Sequence, residues 1–98
     1  MEEVHLKMGK TGTGSFYIQE NNEEIAQMVI SISDKILTAH HTEVYPKGEG
    51  KGMGKRLLVG LTDYARKNGL KVIALCPFVH AQFKKHPEAY RDILTKSI

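Results

Sequence analysis

Residues 43–55 read EVYPKGEGKGMGK, and the rest of the chain is organised around them. A run of extended-type residues ends at Val44, Pro46 interrupts it, and Gly48, Gly50, Gly52 and Gly54 follow before an amphipathic helix begins. A glycine-rich turn entering a helix leaves backbone N–H groups unpaired and converging on one point. The helix dipole adds positive potential there, so the point suits an anion, phosphate above all. Lys51, Lys55 and Arg56 crowd the first turn. Cations at that end oppose the dipole and cost roughly 0.3–1 kcal/mol each. No carboxylate offsets them after Glu49. A helix selected for stability alone would carry acids there. A bound polyphosphate accounts for the inversion; the bland alternative is a surface loop with solvated lysines.

The spacing of the glycines excludes two common phosphate binders. A P-loop needs G-x-x-x-x-G-K-[ST]. Counted back from Gly54-Lys55, its first glycine falls on Glu49, and Arg56 occupies the Ser/Thr position. The dinucleotide pattern G-x-G-x-x-G fails as well, because Met53, Lys55 and Leu57 stand at the third-glycine positions of its three registers.

Outward from this stretch, the chain reads as strands before it and a helix and strand after it. Val4 to Met8 alternates apolar and polar residues like an edge strand. Lys10 to Gly14 is a turn, Ser15 to Glu20 is β-rich, and Asn21-Asn22 suits a hairpin because Asn tolerates positive φ. Glu24 to Ile32 returns as a strand, Ser33-Asp34 makes a second tight turn, and Lys35 to Val44 is a fourth extended run. Short turns between consecutive strands imply an antiparallel meander. Met53, Leu57, Leu58, Leu61 and Ala65 then share one helical face, and Asn68-Gly69 ends the helix. Lys71 to Cys76 (KVIALC) reads as a buried strand. Strand 35–44, helix 53–67 and strand 71–76 make a βαβ unit, whose strands should be parallel with a right-handed crossover. Pro77 stops the last strand; short helices are expected over Phe78 to Lys85 and from Pro87 to about Leu94.

Composition bounds the rest. The 98 residues make one domain, 1–98, with a modest core. The hydrophobic content of 41% and charged content of 26% are ordinary for a globular protein. No apolar run approaches a membrane span, and the acidic N-terminus lacks the apolar region of a secretory signal. A single cysteine permits no internal disulfide, which fits a cytoplasmic location. A net charge of +3 and a pI near 9.0 allow an anionic ligand and are too mild to point to nucleic acid.

Three segments together carry a family resemblance: His41-Thr42-Glu43-Val44, the glycine turn, and Leu75-Cys76-Pro77-Phe78-Val79 with His86-Pro87-Glu88 after it. The turn Glu49-Gly50-Lys51-Gly52-Met53-Gly54 is similar to motif A, Q/R-x-x-G-x-G/A, of the GCN5-related N-acetyltransferases. Gly52 and Gly54 match; Glu49 stands where the family has Gln or Arg. From about Phe16 to Tyr90 the chain resembles the short, single-domain YjdJ-like group of that family. The resemblance implies an α+β fold: an antiparallel meander, then a βαβ unit whose parallel strands splay apart, then short C-terminal helices. It implies acetyl-CoA in the splay and an amine acceptor. Carried onto this chain, the backbone of Glu43, Val44 and Tyr45 would pair with the pantetheine arm. Glu49, Gly50, Lys51, Gly52, Met53, Gly54 and Lys55 would surround the pyrophosphate.

Acetyl transfer to an amine needs a base for the amine proton and an acid for the departing thiolate. In the resemblance Cys76 is the candidate for general acid or nucleophile; otherwise it packs at a strand end, as buried cysteines do. Strand alternation sends His40 and His41 to opposite faces, and the family pattern selects His41 as the base facing Cys76. Glu43 shares the His41 face and is the alternative base. His86 reads as a loop residue. Adjacent His40 and His41 diverge and Cys76-x-x-x-His80 lacks further ligands, so no metal is expected. Phe78, Phe83 and Tyr90 are expected to pack the last helices on the sheet. The competing reading is a non-catalytic acyl-CoA-binding module. The expected state is a monomer or a weak homodimer through an exposed sheet edge.

Overall fold

Two hairpin turns lay down the first half of the molecule. In the computed structural model, which describes residues 4–95, Asn21 and Asn22 have φ of 54° and 64°. Positive φ at both central residues gives a turn whose twist matches the flanking strands. It joins β2 (Thr13–Glu20) to β3 (Glu23–Ser33). The second hairpin turn falls on Asp34 and Lys35, with φ of 52° and 64°, one residue later than the expected Ser33-Asp34. Ser33 instead closes β3 opposite Ile36, the first residue of β4 (Ile36–Val44). Lysine is a poor residue for positive φ, but a one-residue slip would turn Leu37 out of the core, so packing decides the register. β1 (Val4–Met8) pairs antiparallel with β2, with Leu6 opposite Phe16.

The chain then crosses over through α1 (Met53–Lys67) to β5 (Lys71–Ala74), which lies parallel to β4 with Leu37 opposite Val72 and Ala39 opposite Ala74. The sheet order is β1-β2-β3-β4-β5. The expected antiparallel meander followed by a βαβ unit is therefore the observed α+β architecture. The ends of the expected 1–98 domain lie outside the described residues.

The apolar helix stripe decides what covers the sheet. Met53, Leu57, Leu58, Leu61 and Ala65 are buried, in one core with Phe16, Ile18, Met28, Ile30 and Leu37. The Tyr64 ring meets Phe16 edge-on at 5.7 Å. Gly60 lies so close to Val4 that a Cβ there would sit 2.6 Å from Val4 Cγ1. On the face opposite α1, His5, Tyr17, Gln27, Val29 and Ser31 are half-buried or exposed.

β5 ends at Ala74, two residues short of the expected Cys76. Cys76 is instead the N-cap of α2 (Pro77–Lys85), which buries Val79 and Phe83. The last helix, α3 (Pro87–Tyr90), stops well before Leu94. Beyond it the chain returns to the sheet edge, where the Val72 N–H donates to the Ile93 carbonyl at 2.6 Å and Leu94 forms a parallel bridge to Val72. Arg66 secures this return: its Nε donates to Asp92 Oδ2 at 2.8 Å and its NH2 group to the Ala89 carbonyl at 2.7 Å. Among the described residues, no helix is long and apolar enough to cross a membrane.

Candidate active site

The site begins where two parallel strands part company. Pairing between β4 and β5 stops at Ala39 and Ala74, while β4 runs on to Val44. The Ala39 carbonyl accepts the N–H groups of both Leu75 (3.0 Å) and Cys76 (2.8 Å), which turns the chain away from β4 into α2. The distal half of β4 is thus splayed from β5, as expected.

A β-bulge in β4 decides which side chains face that splay. Val29 opposes His41 and Ile30 opposes Ala39, so His40 is an extra residue without a partner on β3. An inserted residue resets the alternation of every residue beyond it. Directly opposed residues on paired strands share a face. Thr42 and Val44, opposite buried Met28 and Ala26, therefore share the α1 face. His41 and Glu43, opposite Val29 and Gln27, point to the other face. His40 goes there too, its Nε2 2.8 Å from Ser31 Oγ.

Two expectations are corrected by this. His40 and His41 do not diverge; both lie on the face opposite α1. His41 is not the β4 side chain turned towards Cys76. That side chain is Thr42, whose Oγ1 lies 3.1 Å from Cys76 Sγ in a half-buried hydrogen bond across the splay. His41 and Glu43 do stay together, Nε2 to Oε1 at 3.8 Å, both well exposed.

The glycine stretch builds the other wall. Pro46 opens a 3-10 turn over Pro46–Gly48. Gly50 and Gly52 follow with φ of 77° and 71°, a conformation side chains adopt only under strain. A Cβ at either would meet nothing within 4 Å, so the glycines serve the backbone path and leave open space above it. Gly52 is the N-cap of α1, and no side chain caps the first-turn amides. Those amides therefore face the open space. Gly54 differs: a Cβ there would lie 3.1 Å from the Phe78 ring, so α1 and α2 approach closely at this point. Together Thr42, Val44, Gly48 to Gly50, Gly52 to Gly54 and Phe78 line a cleft of about 390 Å³.

Charge around the cleft is partly neutralised by the β2–β3 hairpin. Lys51 Nζ lies 3.5 Å from Glu20 Oε2, and Lys47 Nζ donates to Glu23 Oε1 at 2.7 Å. The Glu23 hydrogen bond, with its charge, holds the Lys47 ammonium above the ordinary lysine value. Lys55 and Arg56 follow, exposed, in the first turn of α1. Tyr45, expected to offer its backbone to a ligand, donates its N–H to Ile25 (2.9 Å) and accepts the Gly48 N–H (2.8 Å); its hydroxyl accepts from Gln27 (2.9 Å). Of the expected backbone segment, Glu43 and Val44 are the residues on the splayed part of β4.

The structure thus brings Val44, Glu49, Gly50, Gly52, Met53 and Gly54 to one cleft and sets Cys76, 1% exposed, behind it through Thr42. Thr42, Gly48 and Phe78 line the cleft without having been expected there from the sequence. Phe78 was visible as part of the Cys76-Pro77-Phe78 segment. Thr42 stood in the His41-Thr42-Glu43-Val44 segment, but its facing had no local signal, because the bulge that aims it is set by pairing with β3. Among the described residues no group of three His, Cys, Asp or Glu side chains is placed to hold a metal ion.

This fold has relatives. A family model described as GCN5-related N-acetyl-transferase matches residues 15–93. A GCN5-like protein from Staphylococcus aureus, solved by NMR, is 31% identical over 97% of this chain and 91% of its own, with a TM-score of 0.67. The ribosomal-protein-S18-alanine N-acetyltransferase of Escherichia coli aligns at 22% identity over 68% of this chain and 43% of its own, with a TM-score of 0.61. The aminoglycoside N-acetyltransferase AAC(6')-Iy, crystallised with CoA, aligns at 17% identity over 79% and 66% of the two chains, with a TM-score of 0.54. No curated protein matches the chain. With four fifths of its length covered by the family model, the chain belongs to the GCN5-related N-acetyltransferases.

Proposed function

We propose that the protein transfers the acetyl group of acetyl-CoA to an amine, on a small molecule or exposed on a protein. The observation that carries this reading is the uncapped N-terminus of α1 behind Gly50 and Gly52, opening on a cleft that runs to the splay. The fit to a pyrophosphate is favourable. The space above Gly50 and Gly52 is unobstructed, and phosphate oxygens need that close backbone approach. The amides from Gly52 to Lys55 would hold the phosphates, with Lys51 and Lys55 supplying charge. The free edge of Glu43 and Val44 would hold the pantetheine arm. AAC(6')-Iy, of related fold, was crystallised with CoA.

Acetyl-CoA supplies the activated thioester; the chain supplies the proton handling. The acceptor amine enters from the face opposite α1, where His41 takes the proton lost as the N–C bond forms and Glu43 steadies the resulting imidazolium. Cys76 gives its thiol proton to the departing sulfur, and solvent restores both groups. A nucleophilic Cys76 would instead leave an acetylated cysteine when the amine is withheld, visible as a mass increase on Cys76.

The test is a titration with acetyl-CoA and CoA followed by amide shifts. Saturable shifts from Val44 to Arg56 and near Cys76 are expected; no shifts at millimolar ligand would remove the reading. With the cleft established, Cys76→Ala should abolish turnover and leave CoA affinity within about twofold, since the thiol is set back from the phosphate wall. Unchanged turnover would remove Cys76 from the chemistry. One observation favours a non-catalytic acyl-CoA-binding module instead: Cys76 is almost wholly buried. That reading predicts binding with no acetyl transfer to any amine. The single cysteine fits action in the reducing cytoplasm.

A further inference from the structure

We infer that Thr42 is a positioning residue for Cys76: its hydroxyl fixes the sulfur in the wall of the splay and donates to it when the thiol has lost its proton. The inference rests on the acetyltransferase reading for its purpose, and on geometry for its substance. Thr42 Oγ1 and Cys76 Sγ are 3.1 Å apart. Thr42 lines the cleft, whereas Cys76 lies behind it, 1% exposed. Thr42 lies on β4 beyond its last pairing with β5, and Cys76 lies past the end of β5, so no ladder hydrogen bond holds them in register. What aligns them is the His40 bulge on one side and the doubly occupied Ala39 carbonyl on the other. Without the bulge, Thr42 would point to the face opposite α1 and His41 would take its place.

The chemistry follows from the partner's charge. A hydroxyl accepts from a neutral thiol or donates to a thiolate with equal ease, because its hydrogen rotates. A donor to a charged acceptor is worth more than one to a neutral acceptor. Thr42 is therefore placed to hold the sulfur in one position and to meet the charge that gathers on it as its proton leaves or a reagent is attacked. Threonine is also stiff at χ1 in a strand, so the hydroxyl is held in place at little entropic cost.

The chain has one cysteine, so alkylation by iodoacetamide reports on Cys76 alone. The full-length protein is compared with Thr42→Val, which keeps the branched shape, and Thr42→Ser, which keeps the hydroxyl. Thr42→Val should alkylate about tenfold more slowly at fixed pH, the loss of one hydrogen bond to a charged acceptor. Thr42→Ser should stay within about twofold of the parent protein. Equal rates in all three proteins would overturn the inference. So would equal slowing in Val and Ser, which would assign the effect to packing. Neither measurement needs cofactor or amine, so failure of acetyl-CoA binding would remove the proposed activity and leave the role of Thr42 judged on its own result. Where turnover is measured, Thr42→Val should lower kcat with KM for acetyl-CoA unchanged. The Thr42→Val, Cys76→Ala double variant should be no slower than Cys76→Ala alone.

Discussion

Gly52 concentrates the demands of the cleft in one residue. It holds a left-handed conformation, caps α1 without a side chain and borders open space. Adding a methyl group separates backbone strain from ligand exclusion. Gly52→Ala should destabilise the fold by roughly 1–2 kcal/mol, the ordinary penalty for an alanine in this conformation. Affinity for CoA should fall more than tenfold, because the new Cβ occupies the approach of the phosphate. Urea denaturation and the amide-shift titration measure the two terms; a loss of stability with affinity intact would show that the turn is structural. Single residues were also where the sequence was most and least readable. Gly50, Gly52 and the Asn21-Asn22 turn could be read from residue type, since positive φ selects Gly and Asn. The facing of His41 could not, because alternation counts residues and the bulge inserts one.

At the level of elements, the β2–β3 hairpin and the glycine stretch are linked by charge. Glu20 and Glu23 engage Lys51 and Lys47, the same lysines an incoming polyphosphate would recruit. A carboxylate at Lys51 therefore competes with the phosphate. Glu20→Gln should tighten CoA binding by a factor of about two to five, the span of an exposed ion pair, and change stability little. Weaker binding in that variant would mean that Glu20 orients Lys51 for the ligand. The α1 stripe gives a contrasting expectation. Leu57 is fully buried against the sheet. Leu57→Ala should cost about 2–5 kcal/mol, read as a lower denaturation midpoint. Helix α1 was legible to the residue, 53–67, because both its apolar period and its glycine boundaries are local. β5 and the last helix were overextended: the carbonyl of Ala39 and the return to Val72 end them, and both are contacts from distant parts of the chain.

Across the whole molecule, the C-terminal return is held to α1 by Arg66 and Asp92. The Arg66 guanidinium, by hydrogen bond first and charge second, holds the Asp92 carboxyl below its ordinary value of 3.8. A lowered acid stabilises the fold above its ordinary value, and that stabilisation fades as pH falls through the lowered one. Thermal denaturation should therefore show a decline in acid that is smaller in Asp92→Asn, whose stability near neutrality should be slightly reduced. An identical acid decline in both proteins would place the sensitive carboxylate elsewhere. The antiparallel pairing of β2, β3 and β4 and the parallel return of β5 were visible from their connections, since two-residue loops force antiparallel neighbours and a helical crossover forces a parallel one.

The doubly occupied carbonyl of Ala39 has a mechanical consequence. It works as the stop at the base of a zipper. Every ladder bond below it is closed, and the two arms above it were never fastened to each other. Moving the arms apart to admit a long, thin molecule breaks the Thr42–Cys76 hydrogen bond and no ladder bond between β4 and β5. Amide protons below the stop should thus exchange at the rate of global unfolding whether or not the arms are open, so the protein can gape at one end without loosening at the other.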